Sequence, residues 1–266
     1  MSGEDGSVQP NGRGPYADQR RQAIVARLHA DGRVDAAAIA AELSVTNETV
    51  RKDLIVLESQ GLLRRVHGGA VAVGQLSYAP PVPARVCFRE EKTRIARAAL
   101  EHLPADGAVL LDAGSTTGRL AELFPVGRRL TVYTNTLPIA LVLVNHPQLT
   151  VSTLGGRVRP STLAEVDDLA VRTLAGLNVD VAFLGANAIS VERGLTTPDP
   201  AEAAVKHRML ASAGRRILLA DHSKLGRVSL CKHADLSDLD LLITDSGIAK
   251  ADLTTLRATG LEVQVA

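Results

Sequence analysis

Residues 43–70 read LSVTNETVRKDLIVLESQGLLRRVHGGA, and this stretch decides how the chain is organised. Val50, Leu54 and Leu57 recur at helical spacing and therefore predict a helix with one buried apolar face. Thr46 stands just before this face, where its hydroxyl can accept an unpaired backbone N–H of the first helical turn. The pattern therefore indicates a capped amphipathic helix.

A basic hairpin is predicted to follow this helix. Gly61 stands where the helix is expected to end. The next residues predict a strand over 62–66, a tight turn over 67–69 and a returning strand over 70–73. The hairpin therefore presents a basic tip beside the helix.

The polar face of the helix and the tip of the hairpin form a candidate DNA-binding surface. A helix that buries one face and offers Thr, Asn, Arg and Lys on the other suits the major groove. The alternative is an ordinary surface helix with a solvated charged face. The candidate DNA-contacting residues are Thr46, Asn47, Glu48, Thr49, Arg51 and Lys52 on the helix, and Arg64, Arg65 and His67 on the hairpin.

The residues before this stretch complete a small domain. A helix is predicted from Gln19, a short strand at Val34 and a second helix capped by Asp35. Helix, strand, helix, turn, helix and hairpin is the order of a winged helix-turn-helix, which we expect over 19–74. Residues 1–18 are polar and glycine-rich, which predicts a disordered tail.

The composition of the whole chain excludes several functional classes. The chain has 266 residues, a net charge of +1 and 2% aromatic residues, so stacking platforms for single-stranded nucleic acid are not expected. Its two cysteines, Cys87 and Cys231, are too few and too far apart for a structural zinc site or a disulfide framework. The longest apolar run, near 137–144, is too short to span a bilayer. We therefore expect a cytoplasmic protein with no membrane contact, no metal and no cofactor.

A second domain is predicted after a proline-bearing linker over 75–84. Over 85–266, apolar strands alternate with helices, which predicts an α/β domain whose mostly parallel sheet is covered on both faces. The predicted strands are 108–112, 130–134, 149–154, 179–184, 216–220 and 239–244. The predicted helices are 89–103, 118–123, 137–145, 165–175, 200–213 and 249–259.

Polar, glycine-bearing segments follow the strands of this second domain. The carboxyl ends of parallel strands meet at one edge of an open sheet, which is where such folds bind ligands. Gly-Ser-Thr-Thr at a helix start can cradle a phosphate with backbone N–H groups and hydroxyls. The candidate ligand-binding residues are Asp112, Gly114, Ser115, Thr116, Thr117, Thr134, Asn135, Gly155, Gly156, Arg157, Gly185, Asn187, Asp221 and Lys224, with Glu202 and Lys206 on the helix before the fifth strand.

Each of these segments has a plain structural interpretation when taken alone. Glycine and hydroxyl residues form tight turns, and an acid and a lysine four residues apart on a helix are often a surface ion pair. Their convergence on one edge favours a pocket for a polyhydroxylated anion such as a sugar phosphate. The pocket could also be catalytic, since Asp112, Glu202 or Asp221 could act as the base of a sugar-phosphate isomerase. Such an enzyme would not need a winged helix.

The sequence resembles the DeoR family of bacterial transcriptional regulators. The resemblance rests on the motifs VTNETVRKDL (45–54), RVHGGA (65–70), DAGSTT (112–117), FLGAN (183–187) and DHSK (221–224). It implies repression of sugar or nucleoside catabolic operons, relieved by a phosphorylated sugar. It also implies an effector domain similar in fold to ribose-5-phosphate isomerase.

The chain departs from the family pattern at a few positions. The family usually has serine where this chain has Thr46, and arginine where it has Lys52, whose ammonium cannot make the bidentate contact of arginine with guanine. Ala188 replaces a usual glycine, and Asp167 with Asp168 replaces a usual Gly-Pro. The two carboxylates would repel a phosphate if they faced the pocket.

These observations lead to one hypothesis with two alternatives. We expect a transcriptional regulator, and more specifically a repressor, that binds a double-stranded DNA operator and is released from it by a phosphorylated sugar. A homo-oligomer is expected because one winged helix has a small footprint. The alternatives are an isomerase-like enzyme with a DNA-binding head, and a transcriptional activator with the same architecture.

Overall fold

A computed structural model describes residues 16–31, 33–60, 62–72, 76, 79, 81, 82, 85 and 87–266. The chain divides into two compact units, Met1–Gly74 and Gln75–Ala266, named here the N-terminal unit and the C-terminal unit. The predicted tail, apart from residues 16–18, lies outside the described residues, as does most of the predicted linker over 75–84.

The N-terminal unit has the winged helix-turn-helix order that the sequence predicts. Its three-stranded sheet has the order β1-β3-β2, and both pairs of strands are antiparallel. The elements are α1 (Ala17–Asp31), β1 (Arg33–Asp35), α2 (Ala36–Glu42), α3 (Asn47–Ser59), β2 (Leu63–Val66) and β3 (Gly69–Ala72).

Both predicted helix caps of the N-terminal unit are present. The Asp35 carboxylate accepts hydrogen bonds of 2.9 Å from the backbone N–H groups of Ala37 and Ala38 at the start of α2. The Thr46 hydroxyl accepts one of 3.1 Å from the backbone N–H of Thr49. These bonds satisfy donors that have no partner inside the helix, so each helix start is fixed by the residue before it.

The structure corrects the predicted end of α3 and the predicted turn. The C-cap residue of α3 is Gln60, and Gly61 lies outside the described residues. The turn consists of His67 and Gly68 alone, because Gly69 already pairs with Val66 in the hairpin. Gly69 is required there, since a Cβ would collide with the backbone carbonyl of Val34 on β1.

A buried carboxylate joins the first and third helices. Asp53 on α3 is 2% exposed and accepts hydrogen bonds from Arg20 Nε at 2.8 Å and Arg21 Nε at 3.0 Å on α1. The apolar face of α3 packs into the same core. The largest fully buried side chains of this core are Ile24, Leu28, Leu57 and Leu63.

The C-terminal unit is built on a seven-stranded sheet whose neighbouring strands are all parallel, in the order β15-β14-β12-β9-β4-β5-β6. Its strands are β4 (Asp106–Leu111), β5 (Arg129–Thr134), β6 (Leu149–Thr153), β7 (Arg157–Arg159), β8 (Ala164–Val166), β9 (Val179–Gly185), β10 (Ala188–Ser190), β11 (Gly194–Thr197), β12 (Ala213–Leu219), β13 (Cys231–Ala234), β14 (Leu241–Thr244) and β15 (Glu262–Val265). Its helices are α4 (Arg89–Ala99), α5 (Ser115–Glu122), α6 (Leu137–Leu143), α7 (Asp168–Ala175), α8 (Pro200–Ala211) and α9 (Lys250–Ala258).

Two apolar cores cover the faces of the seven-stranded sheet. Successive side chains of a strand point to opposite faces, so Leu110 lies in one core while Val109 and Leu111 lie in the other. The predicted mostly parallel α/β architecture is therefore confirmed. The sequence analysis missed β15, an edge strand that alternates polar and apolar residues and so lacks the continuous apolar run of the central strands.

The predicted helix over 165–175 begins three residues late. Residues 164–166 instead form β8, which pairs with β7 in a two-stranded antiparallel sheet. Glu165 on β8 is 5% exposed and accepts a 2.7 Å hydrogen bond from the backbone N–H of Gly155. A second small sheet, of the order β10-β11-β13, was also not predicted, because its strands are only three or four residues long.

Asp167 has a strained backbone at the start of α7. Its φ of 76° and ψ of −171° lie in a region that glycine occupies with ease and other residues rarely adopt. Its carboxylate accepts a 2.7 Å hydrogen bond from Arg157 Nε on β7. A glycine, which the resemblance described above leads us to expect at this position, would adopt this conformation without strain.

We predict that Asp167→Gly raises the free energy of unfolding of the C-terminal unit by about 1 kcal/mol. Relief of about 1–3 kcal/mol of strain outweighs the entropy cost of glycine, about 0.5–1 kcal/mol, and the lost ion pair is exposed. Urea denaturation followed by circular dichroism measures the change. The matched control, Asp168→Gly in the first turn of α7, should lose stability instead. Equal losses in both variants would contradict the strain argument.

Candidate functional site

A groove in the N-terminal unit brings together the polar start of α3 and the hairpin tip. Four of the candidate DNA-contacting residues line it: Asn47, Arg51, Arg65 and His67. Glu48, Lys52 and Arg64 are exposed but do not line the groove. Thr46 serves as the N-cap of α3, and its hydroxyl lies 2.9 Å from that of Thr49.

Arg65 is held in place by a residue that the sequence analysis did not select. Glu58 on α3 accepts hydrogen bonds from the backbone N–H of Arg65 at 2.8 Å and from its Nε at 2.6 Å. Burial would raise the pKa of Glu58, but the hydrogen bonds from Arg65 lower it below its ordinary value. The pair fixes the hairpin against α3, so both elements present their basic groups to the same groove.

The strand ends of the C-terminal unit converge on one cavity with two chambers. The inner chamber brings together half of the candidate ligand-binding residues: Gly114, Ser115, Thr116, Gly185, Asn187, Lys206, Asp221 and Lys224. The outer chamber has a volume of about 380 Å³ and shares Arg85, Gly114 and Ser115 with the inner one. The start of α5, where backbone N–H groups are available to an anion, therefore lies between the two chambers.

Lys206 and Asp112 form a buried ion pair behind the inner chamber. Lys206 is 5% exposed and Asp112 is 1% exposed. Lys206 Nζ donates to Asp112 Oδ2 and, at 3.0 Å, to the carbonyl of Gly185, while Asp112 Oδ2 also accepts a 3.0 Å bond from the Gly185 backbone N–H. The pair joins α8 to the ends of β4 and β9. It is not the surface pair with Glu202 that the spacing on the helix allows.

Glu202 has partners of its own beside this pair. It is 5% exposed and accepts hydrogen bonds from the Thr162 hydroxyl at 2.7 Å, the Thr197 hydroxyl at 3.1 Å and Arg159 Nη1 at 3.2 Å. The Thr197 hydroxyl also lies 3.1 Å from Asn187 Oδ1, at the inner chamber. Glu202 therefore supports the chamber through threonine hydroxyls and does not line it.

Several other candidate residues hold loops together and line neither chamber. The Thr117 hydroxyl donates to the carbonyl of Gly114 at 3.2 Å, and that of Thr134 donates to the carbonyl of Leu111 at 2.8 Å. Asn135 Oδ1 accepts a 2.8 Å bond from the Ala113 backbone N–H. These contacts position the loop that carries Gly114 and Ser115.

The segment with Gly155, Gly156 and Arg157 lies apart from both chambers. Gly155 and Gly156 have φ values of 77° and 110°, and a Cβ on Gly156 would collide with the carbonyl of Val166. Arg157 is exposed and pairs with Asp167 rather than facing an anion in the cavity. Asp167 and Asp168 line neither chamber either, so they do not repel an anion there.

The inner chamber combines a cation, Lys224, with an Asp221 carboxylate oxygen that lacks a partner in the described part of the chain, and a second such oxygen belongs to Asp112, which does not line the chamber. Burial lowers the pKa of Lys224 to about 8, against the opposing attraction of Asp221. Among the described residues, Asp221 Oδ2 and Asp112 Oδ1 are buried and have no hydrogen-bond partner. Such oxygens accept hydrogen bonds from hydroxyl groups, whereas Lys224 attracts an anion.

A histidine–carboxylate pair stands beside the Asp221–Lys224 turn. His222 Nδ1 lies 2.7 Å from Asp245 Oδ2, and the His222 backbone N–H donates to Asp245 Oδ1 at 2.8 Å. The hydrogen bond with Asp245 raises the pKa of His222. Burial would raise the pKa of Asp245, but its bonds with His222 lower it to about 2. The pair fixes the turn that carries Lys224.

The outer chamber contains cations that the sequence analysis missed. Lys92 on α4 is 4% exposed, and its Nζ donates to the carbonyls of Cys87 at 2.6 Å and Arg85 at 3.1 Å. Arg89 and Arg119 line the same chamber. Lys92 and Arg89 lie on α4, before the first strand of the sheet, and Arg119 lies inside α5, eight residues after β4 ends, so none of them is in a segment that directly follows a strand. The only sequence signal was a lysine among the apolar positions of α4.

The described residues show no site for a metal ion and no membrane-spanning helix. In this part of the chain no group of three or more His, Cys, Asp or Glu side chains could hold a metal. None of its helices is long and apolar enough to cross a membrane. The lining of the cavity offers cations, backbone N–H groups and a carboxylate oxygen, which together fit an anion that also carries hydroxyl groups.

Two family models match the two units of the chain. A DeoR-like helix-turn-helix domain matches residues 20–75, and a DeoR C-terminal sensor domain matches residues 88–246. The chain belongs to the DeoR family. It is therefore a DNA-binding transcriptional regulator, and the enzyme alternative is set aside because its relatives are named as regulators.

Individual relatives of this DeoR-family protein match along nearly its full length. The HTH-type transcriptional regulator GlpR of Haloferax volcanii is 35% identical over 93% of this chain and 96% of its own. The HTH-type transcriptional repressor GlcR of Bacillus subtilis is 32% identical over 94% of this chain and 96% of its own. Among solved structures, ribose 5 phosphate isomerase A from Neisseria gonorrhoeae aligns with a TM-score of 0.39 and 17% identity, over 53% of this chain and 54% of its own.

We predict that Lys206→Met lowers the free energy of unfolding of the C-terminal unit by about 3–5 kcal/mol, because it leaves the Asp112 carboxylate buried without its cation. Urea denaturation followed by circular dichroism measures the loss. Adding Asp112→Asn to the same chain removes the uncompensated charge and should restore part of the stability. A single variant as stable as the wild type would show that the pair does not hold the sheet edge together.

Proposed function

We propose that this protein represses a sugar or nucleoside catabolic operon and that a phosphorylated sugar releases it from its operator. In this proposal the groove between α3 and the hairpin binds double-stranded DNA, and the cavity of the C-terminal unit binds the effector. The DeoR family and the named repressor among its relatives support the repressor role.

The observation that carries the effector proposal is the make-up of the cavity. Lys206, Lys224 and Lys92 converge on the N-terminus of α5, where backbone N–H groups and the Ser115 hydroxyl can bind phosphate oxygens. The carboxylate oxygen of Asp221 that lacks a partner among the described residues lies at the inner chamber, where it can accept a bond from a hydroxyl group next to the bound phosphate, while the rest of the sugar extends into the outer chamber. A ligand with a phosphate and several hydroxyls satisfies both sets of groups.

The DNA-binding proposal assigns different tasks to the two elements. Asn47, Thr49 and Arg51, with Lys52, lie in the first half of α3 and are proposed to meet bases and phosphates of the major groove. Arg64, Arg65 and His67 on the hairpin are proposed to contact the sugar-phosphate backbone or the minor groove. Binding should weaken with salt, because each phosphate contact releases counterions.

We also propose that the protein acts as a homo-oligomer in the cytoplasm. One winged helix covers a single half-site, and regulators of this kind gain affinity and length of recognition by pairing two half-sites. Light scattering of the full chain measures this state. The effector then acts by binding more tightly to the arrangement that does not fit the operator, which shifts the population away from DNA.

We predict that Arg51→Ala combined with Lys52→Ala weakens binding to the DNA upstream of the protein's own gene by at least about tenfold, because each lost contact contributes ~1–3 kcal/mol. Fluorescence anisotropy over a salt series measures both the affinity and the salt dependence, which should become shallower. Arg97→Ala with Lys250→Ala, which removes two exposed charges of the C-terminal unit, is the matched control. Unchanged affinity in the first variant would overturn the proposed role of α3.

A reporter gene behind the same upstream DNA distinguishes repression from activation. Deleting the regulator should raise expression if it represses. A fall in expression would instead identify the protein as an activator. That result would leave the proposed DNA-binding surface unchanged.

We predict that sugar phosphates stabilise the protein in a thermal-shift panel and that their affinity falls as the pH rises through about 8. The Lys224 ammonium, with its pKa lowered to about 8, is largely charged at pH 7 and loses its proton above pH 8. Between pH 7 and pH 9 the affinity should therefore fall by up to about tenfold. Isothermal titration at both pH values measures the change.

Two variants isolate the contribution of Lys224 to this pH dependence. Lys224→Met should bind more weakly at pH 7 and lose the fall, whereas Lys250→Met on the exposed face of α9 should keep it. His222→Gln should also keep it, which excludes the neighbouring imidazole as its source. Equal stabilisation by inorganic phosphate and by every sugar phosphate would reduce the cavity to a general anion site.

A further inference from the structure

The outer chamber extends well beyond the start of α5. Ser115, Gly118, Arg119 and Glu122 all line it, and their spacing places them on one face of the helix. At 1.5 Å per residue this face runs for about 10 Å. A phosphate bound at Ser115 therefore occupies only one end of the chamber.

Gly118 keeps the middle of this face open. It is an interior residue of α5, where glycine weakens a helix relative to alanine. Its backbone needs no glycine, because its φ is not positive and a Cβ there would meet no atom within 4 Å. Packing within the fold therefore does not explain this residue, whereas a ligand that lies along the helix does.

The lining of the outer chamber carries an excess of positive charge. Of its cations, Arg119 pairs with Glu122, the one acidic residue among the described residues of the lining, while no carboxylate within hydrogen-bond distance is described for Arg89 or Lys92. Lys92 is nearly fully buried, and among the described residues its ammonium donates only to carbonyl oxygens. A buried ammonium that hydrogen-bonds to no carboxylate is costly, and a ligand anion would add a direct counter-charge to the attraction that Asp221 already exerts.

Apolar side chains form another part of the lining of this chamber. Pro138, Ile139 and Val142 of α6 and Leu163 contribute to it. Such side chains exclude water and strengthen charge-assisted hydrogen bonds in the chamber. The chamber therefore suits an extended ligand whose second charged group lies near the arginines.

We propose that the effector of this protein carries two anionic groups, as a sugar bisphosphate or a phosphorylated sugar acid does. The first group binds at Ser115 and the start of α5. The ligand then passes over Gly118, and the second group binds Arg89 and Arg119. This inference rests on the proposed effector function and narrows its ligand class.

Matched pairs of ligands test the proposal in the full-length protein. Fructose 1,6-bisphosphate is compared with fructose 6-phosphate, and 6-phosphogluconate with glucose 6-phosphate, by isothermal titration at constant ionic strength. In at least one pair, the ligand with two anionic groups should bind at least about tenfold more tightly, because it gains charge-assisted bonds. Equal affinities within both pairs would overturn the proposal.

Variants of the chamber separate specific binding from general charge attraction. Arg89→Gln combined with Arg119→Gln should reduce the preference for the ligand with two anionic groups to below about threefold and leave the affinity for the ligand with one anionic group unchanged. Arg97→Gln combined with Lys250→Gln, two exposed cations outside the lining, should keep the full preference. If the tighter binding of the ligand with two anionic groups survives the first pair of substitutions, or falls equally in the control, the second group does not bind at Arg89 and Arg119.

Gly118→Leu tests the path along α5 without removing a charge. It should raise or preserve the melting temperature of the free protein and abolish the preference for two anionic groups, while binding of the ligand with one anionic group persists. Retention of the preference, or loss of both ligands together, would show that the effector does not lie as proposed. If no sugar phosphate binds the wild type at all, the effector function itself fails, which is a different outcome from equal affinities.

Discussion

The buried ion pair between Lys206 and Asp112 is the interaction on which the C-terminal unit depends. A buried charge is costly unless it is paired, and this pair also satisfies both backbone groups of Gly185. It therefore fixes the ends of β4 and β9 and the face of α8 in one arrangement. The loops that follow those strands form the inner chamber, so its shape rests on this ion pair.

The N-terminal unit also contains a buried carboxylate that is paired with basic side chains. Asp53 lies on α3, among residues proposed to face DNA, yet it points inward to Arg20 and Arg21 of α1. Glu58 on the same helix holds Arg65 of the hairpin. Asp53 therefore orients arginines of α1, and Glu58 orients an arginine of the hairpin. Both are acids, which would repel the phosphates of DNA, yet they position the basic side chains of the elements beside α3.

Several features of the C-terminal unit cost stability without serving the fold. Gly118 weakens the interior of α5, Lys92 is buried without a carboxylate, and Asp221 keeps a buried oxygen without a partner in the described part of the chain. All of them line the cavity, which is why a ligand accounts for them better than packing does. Asp167 is strained as well but lies elsewhere, and the structure offers no ligand that would explain it.

The architecture of both units could be predicted from the sequence, because hydrophobic periodicity and helix caps depend on residues that are close together along the chain. The caps at Asp35 and Thr46, the winged-helix order and six of the seven parallel strands could be predicted from the spacing of residues, and the DeoR-family motifs lie in the same segments.

The sequence could not separate residues that line the cavity from residues that support it. Thr134, Asn135 and Glu202 looked equivalent to Ser115 and Lys224, yet only the folded chain decides which side of a loop each one faces. It also could not find Lys92, Arg89 or Arg119, since helices packed beside the sheet edge contribute them. Only the tertiary structure brings α4 and α5 together beside the sheet edge. The charges of Lys92, Arg89 and Arg119 form a site because folding places all three in the lining of the same chamber.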